Sequence, residues 1–228
     1  MAYIATLTPK KEYPKPADGE YLAICNKLID LGTHKNSYGN MQASIVLGFE
    51  IHGENLISGE SAYMEDGKPF VVDSQFNPYF GTAQKASNFR KFLEGWRGKA
   101  FTPEELEGFD IENLLGKACR LTLVTRKNED GSEGYQNITD AKPVYKGAII
   151  PAQANSSQVF ILPSRAPWNQ EVFDKLPEFR RNKIKDSQEY REHFGSNHKP
   201  VTQASTPVDV GSNHFAPGYD AYLADLNG

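Results

Sequence analysis

Met41-Gln42-Ala43-Ser44-Ile45-Val46-Leu47-Gly48-Phe49-Glu50-Ile51 is the stretch on which the fold turns. Met41, Ala43, Ile45, Leu47, Phe49 and Ile51 recur with period two, and Gln42, Ser44 and Glu50 fall between them. That is the pattern of a strand with one buried and one wet face. Upstream, Glu20–Leu31 is another apolar-rich stretch, closed by Gly32 and separated by the polar loop Thr33–Asn40. Downstream, the Glu65-Asp66-Gly67 turn introduces a third strand, Pro69–Phe76. The period then lengthens to that of a helix. Between Thr82 and Trp96 the residues Ala86, Phe89, Leu93 and Trp96 stand three or four apart on one face, with Gly95 and Gly98 near the end. Thr102, Pro103 and Glu105 carry the signature of a second, capped turn, and Asp110–Leu115 reads as a third short piece. Two strands finish the region: Cys119–Arg126, then Tyr135–Val144 after an Asn-Glu-Asp-Gly turn.

Three strands, a helix and two strands is the element order of a five-stranded OB barrel with its helix between strands 3 and 4. The sequence thus predicts a mainly β fold of that kind over residues 18–147. Residues 1–17, with Pro9, Pro14 and Pro16, read as an extended arm. Residues 148–200 read as a partly helical extension, with a basic helical segment from about Trp168 to Phe194 that Pro177 interrupts. Residues 201–228 hold three Asp and no Lys or Arg, and read as a disordered, mildly acidic tail anchored by Phe215, Tyr219, Tyr222 and Leu223.

Length and composition bound the function. A chain of 228 residues makes one or two domains. Its 25 Lys+Arg against 29 Asp+Glu leave a net charge of −4, which excludes a purely electrostatic clamp for nucleic acid but not a local basic groove. Cys25 and Cys119 make no CxxC pair, so zinc ribbons and thioredoxin-type sites are excluded and a reducing compartment is expected. No apolar run is long enough to span a membrane, and the first residues carry Lys10 and Lys11 rather than a hydrophobic signal core. The expectation is a cytoplasmic protein with no membrane partner.

Marks of catalysis are scarce. Phosphate-binding glycine loops, a nucleophile elbow, HExxH and an EF-hand loop are all missing. His34, His52, His193, His198 and His214 read as solvated, and Cys25 and Cys119 as small buried hydrophobes. Asp30, Glu50 and Asp73 lie in strands and would be the carboxylates of a metal-dependent nuclease, though acids on wet strand faces are ordinary. The sequence accordingly assigns no catalytic residue, no metal and no cofactor.

Binding leaves softer marks, because a protein that holds an unpaired strand needs cations for phosphates and flat rings for bases. Lys35 and Tyr38 lie in the loop between the first two strands; Phe76 and Tyr79 end the third strand. Arg120 and Arg126 follow the outward register of the fourth strand, Lys127 comes next in the turn, and Tyr135 begins the fifth. These eight are the candidate contacts. The bland alternatives are a ring covering the barrel mouth for Phe76 and Tyr79 and ordinary surface charge for the cations. Phe89 and Trp96 share the apolar stripe of the helix and read as core.

From Asp18 to Gly147 the chain resembles the OB-fold single-stranded DNA-binding proteins of bacteriophages and prophages. The resemblance rests on Ala23–Gly32 (AICNKLIDLG), the strand Ile45–Ile51, Ser87–Phe109 (SNFRKFLEGWRGKAFTPEELEGF) and Leu114-Leu115-Gly116-Lys117. Leu93–Gly98 with Phe101-Thr102 is its most specific part, and it covers a little over half the chain. It implies a non-enzymatic protein that coats and protects single-stranded DNA in phage replication or recombination. Contact residues do not follow from it. The tail ends Tyr-Leu-Ala-Asp-Leu-Asn-Gly, without the acidic, phenylalanine-tipped end common in bacterial proteins of this function, which weakens its expected role in recruiting replication or recombination proteins. Arg180–Arg191 reads as a lid on the barrel, an added phosphate contact or a bridge for self-association, with the bridge preferred. Two alternatives stand beside DNA coating: an OB-fold interaction module acting on a host factor, and the nuclease using Asp30, Glu50 and Asp73.

Overall fold

A computed structural model describes residues 14–195 except 83 and 130. The expected tail, 201–228, and most of the N-terminal arm lie outside the described residues. The fold is mainly β. Strands β1 (Gly19–Lys35), β2 (Met41–His52), β3 (Val71–Phe76), β4 (Ala118–Lys127) and β5 (Glu133–Lys142) form an antiparallel ladder in the order β3-β2-β1-β4-β5, and β6 (Gln158–Phe160) adds in parallel to β1. β3 and β5 are the ends of the ladder path, and the sheet is open there. Helices α1 (Asn88–Arg97) and α2 (Pro103–Glu107) and a 3-10 turn (Ile111–Leu114) lie between β3 and β4; α3 (Gln170–Lys175), α4 (Glu178–Lys185) and α5 (Gln188–Phe194) follow β6. Among the described residues no helix is long and apolar enough to cross a membrane.

The inward register of the sheet builds the larger core. Tyr21, Ala23 and Cys25 of β1, Leu47, Phe49 and Ile51 of β2, and Leu121 and Leu123 of β4 are fully or almost fully buried. α1 closes this core with the stripe read from the sequence: Phe89, Leu93 and Trp96 are buried, Trp96 edge-on to Phe49 at 5.5 Å, with its indole N–H donated to the Ala118 carbonyl at 2.9 Å. The helix starts later than its apolar spacing suggests. Residues 82–86 fold into a tight turn, with Thr82 N–H bonded to the Lys85 carbonyl at 2.9 Å, and Ser87 is the N-cap, accepting from Arg90 N–H. Gly98 ends it in the left-handed region. The Thr102–Glu105 capping box with Pro103 is present.

The wet face expected for β2 is not wet. Ser44, Val46, Glu50 and His52 are buried, because the chain beyond β5 returns across that side of the sheet. There Ile29, Leu31 and Val46 meet Phe160, Leu162, Phe173, Leu176, Ile184 and Tyr190 in a second core. The sequence pattern missed this because polar side chains alternating with apolar ones look alike whether they meet water or a partner. Shifts in the β1–β2 register between Cys25 and Lys27 and between Asp30 and Gly32 allow β1 to feed both cores.

The acids of β1–β3 serve that junction. Asp30 accepts from Arg165 at 2.6 Å and from Gly32 N–H; Glu50 accepts the N–H groups of Ala154 and Asn155 at 2.6 and 2.8 Å and pairs with His52 at 2.8 Å; Asp73 pairs with Lys27 at 3.0 Å and with Arg180. Burial pushes the Glu50 carboxyl up, but the backbone N–H groups on it outweigh burial and hold it below the ordinary range. His34 and His52, expected to be solvated on loops, sit on β1 and β2, His52 buried and His34 partly so; burial pushes the His34 imidazole down. Cys25 and Cys119 are buried and unpaired, and burial pushes the Cys25 thiol up to about 12.

Candidate nucleic-acid interface

The open gap between β3 and β5 positions the site. The two strands come within 8 Å at their nearest Cα atoms without a ladder between them. A groove of about 810 Å³ lies there, between β3, the 77–87 connection and α1 on one side and the β4–β5 hairpin on the other. One wall carries rings: Phe76, seated on Phe92 at 4.7 Å and Phe89 at 5.4 Å, and Tyr79, a residue 54% exposed. Ser87 holds this wall by donating its hydroxyl to the Tyr79 carbonyl. Cations stand around the rim: Lys85 in the turn before α1, Lys91 on α1 and Arg126 on β4. Neither Lys85 nor Lys91 is ion-paired with a described residue. Asn77, Asn88, Asn137 and Gln42 add amide donors and acceptors. Asp140 is the one carboxylate among the described lining residues, and Lys142 meets it at 3.2 Å.

Rings, amides and cations around an open trough, on a chain of net charge −4, suit a ligand with flat faces and distributed negative charge. The sequence matches no family model and no curated protein. The chemistry of the groove therefore carries the functional reading.

Of the eight residues singled out from the sequence, Phe76, Tyr79 and Arg126 line this groove together. Lys35 lines a smaller cleft of about 40 Å³ next to it, which Phe76 also borders. Tyr38 projects from the β1–β2 hairpin, 68% exposed. Lys127 and Tyr135 are exposed near the tip of the β4–β5 hairpin, Tyr135 and Lys127 both outside the groove lining. Arg120 is engaged elsewhere: it pairs with Glu20 at 2.6 Å, donates to the Pro143 carbonyl at 2.8 Å and lies 3.7 Å over the Tyr145 ring.

Sequence reasoning missed Lys85, Lys91, Asn88 and Asn137. Asn88 and Lys91 are three apart on the helix side away from the buried stripe, so a polar side facing the groove was readable there. Lys85 was hidden because 82–86 read as helix rather than as the turn that aims it at the groove. The nuclease carboxylates do not converge: each has its own donors at the junction with the extension, and among the described residues no group of three potential ligands is close enough to hold a metal ion.

Proposed function

We propose that the protein binds single-stranded DNA in the β3–β5 groove, as a non-enzymatic OB-type module that coats and protects the unpaired strand in phage replication or recombination. The observation that carries this reading is the pairing of Phe76 and Tyr79 with Lys85, Lys91 and Arg126 around one trough. Bases stack on the rings without regard to sequence, and the cations track the phosphates. The strand order supports the OB reading: β3 and β5 are the strands that a closed five-stranded barrel brings together, and here they approach across the groove. The resemblance of residues 18–147 to phage single-stranded DNA-binding proteins points the same way.

Fluorescence anisotropy with labelled oligo-dT, a duplex and an RNA of equal length tests it. DNA coating gives tight binding of oligo-dT, weaker binding of duplex, and an affinity that falls steeply with salt, the logarithmic slope being about −0.7 per phosphate neutralised. A flat salt response, or equal binding of duplex, overturns the reading and favours an interaction module for a host protein. Preference for the RNA transfers the site to single-stranded RNA.

A further inference from the structure

We infer that the strand does not end its path in the groove but continues over the β2–β3 side onto a phosphate subsite formed jointly by Lys35 of β1 and Lys183 of α4. The inference rests on the reading proposed above and assigns the C-terminal helices to the binding surface.

The groove and the small cleft beside it share Gln42, Gln75, Phe76 and Asn77 as walls, so a strand lying along one runs into the other. Their sizes differ greatly. At about 40 Å³ against about 810 Å³ the cleft is a narrow offshoot of the groove, lined mostly by polar and cationic side chains. Phosphate oxygens need no flat room; they need cations and amide donors. Lys35 and Lys183 supply the first and Asn36, Gln42 and Asn77 the second. Both lysines are exposed, neither is ion-paired with a described residue, and no carboxylate lines the cleft.

The position of Lys183 is built rather than incidental. One turn earlier in α4, Arg180 is buried against Asp73 of β3, and the next residue, Ile184, is fully buried in the second core. With both neighbours fixed, Lys183 is held over the sheet at the point where β1 ends. Two lysines almost 150 residues apart in sequence thus border one cleft through separate elements. Packing of the helix on the sheet gives by itself no reason to hold two lysines without an ion-pair partner at one cleft beside the trough.

Oligo-dT probes of about four and about sixteen nucleotides, the ends of the site-size range for one OB module, separate the two parts of the path. The full chain is compared with Lys183→Ala, Lys35→Ala and, as control, Lys175→Ala, whose lysine pairs with Glu171 away from both surfaces. On the long probe, Lys183→Ala and Lys35→Ala each weaken binding about five-fold at ~0.1 M salt and flatten the salt slope by about 0.7; on the short probe both match the unmodified chain. Lys175→Ala changes neither. Equal losses on both probes, no loss on either, or a loss with Lys35→Ala alone overturns the inference while leaving the groove intact. Failure of the unmodified chain to bind either probe overturns the proposed function, and this inference with it.

Discussion

Arg180 of α4 closes its guanidinium on the Asp73 carboxylate of β3, and both side chains are almost wholly withdrawn from water. Lys27 meets the same carboxylate from β1 at 3.0 Å. The three-strand register makes this possible: Lys27, Gly48 and Asp73 lie side by side on β1, β2 and β3. A side chain at Gly48 would collide with Asp73 Oδ1 and come within 2.7 Å of Lys27 Cβ.

Asp73→Asn therefore strands the buried Arg180 and the partly buried Lys27. The expected loss is about 3–5 kcal/mol, as for other buried pairs that lose one partner. Trp96 and Trp168 are the only two tryptophans, one in each core, so in a Trp96→Phe background Trp168 fluorescence reports the second core alone during urea unfolding. The pH dependence has a defined sign. Burial pushes the Asp73 carboxyl up, but Lys27 and Arg180 outweigh it and hold the carboxyl below its ordinary 3.8. Its contribution is complete above about pH 3.8 and drains away as acid protonates it below that value. Asp73→Asn should remove that part of the acid transition; an unchanged acid limb counts against the pair as the clasp.

Gly32 is the second fastening point. It sits at φ +81°, and a Cβ there would run into Ser187 Cβ at the start of α5 while lying 2.8 Å from Glu189 Oε2. Glu189 in turn accepts from Thr33 N–H at 2.7 Å and Thr33 hydroxyl at 2.6 Å. Gly32→Ala should cost about 1–3 kcal/mol from backbone strain alone. Hydrogen exchange should quicken in α4 and α5 while the amides of β4 and β5 keep their protection. Uniform loss of protection across the sheet would mean that the extension and the sheet unfold as one unit.

The sequence carried the sheet well and its surroundings poorly. Period-two alternation located β2 and β4, the three-four spacing of Phe89, Leu93 and Trp96 located α1, and Thr102-Pro103-Glu105 announced the capping box of α2, because each signal is local. Glu50 shows the limit. Its polar side chain in an alternating strand reads as facing water, yet it is buried by Ala154 and Asn155, which arrive more than one hundred residues later. The same holds for the candidate site. Phe76, Tyr79 and Arg126 were legible as rings and a cation near strand ends, whereas Arg120, identical in register to Arg126, is occupied by Glu20 and Tyr145. Residue type and register indicate which side a residue faces, and only the long-range path of the chain determines what it meets there.

Tyr79 and Tyr38 separate groove binding from general surface attraction. Both rings are exposed and both lie near cations, but Tyr79 lines the groove and Tyr38 projects from a hairpin outside it. Tyr79→Ala should weaken oligo-dT binding by about 1–3 kcal/mol, the usual loss of one base stack. Tyr38→Ala should leave affinity unchanged. Anisotropy titrations of the two variants in parallel decide it, and the reverse ranking would move the binding surface to the β1–β2 hairpin.

Phe76 belongs to the larger core and to the groove at once, so its two roles can be pulled apart. Phe76→Leu keeps an apolar side chain against Phe89 and Phe92 but removes the flat face, and should cost at most about 1.5 kcal/mol of stability. Its oligo-dT affinity should nevertheless fall by an amount similar to that of Tyr79→Ala. Trp96→Phe works the other way: it leaves the Ala118 carbonyl without the indole donor, about 1–3 kcal/mol for an unsatisfied buried acceptor, but leaves the groove lining untouched. Urea midpoints and anisotropy on both variants should therefore cross, stability falling more for Trp96→Phe and affinity more for Phe76→Leu. If the two measurements fall together in both variants, the aromatic wall acts on DNA only through the fold, and stacking on Phe76 is wrong.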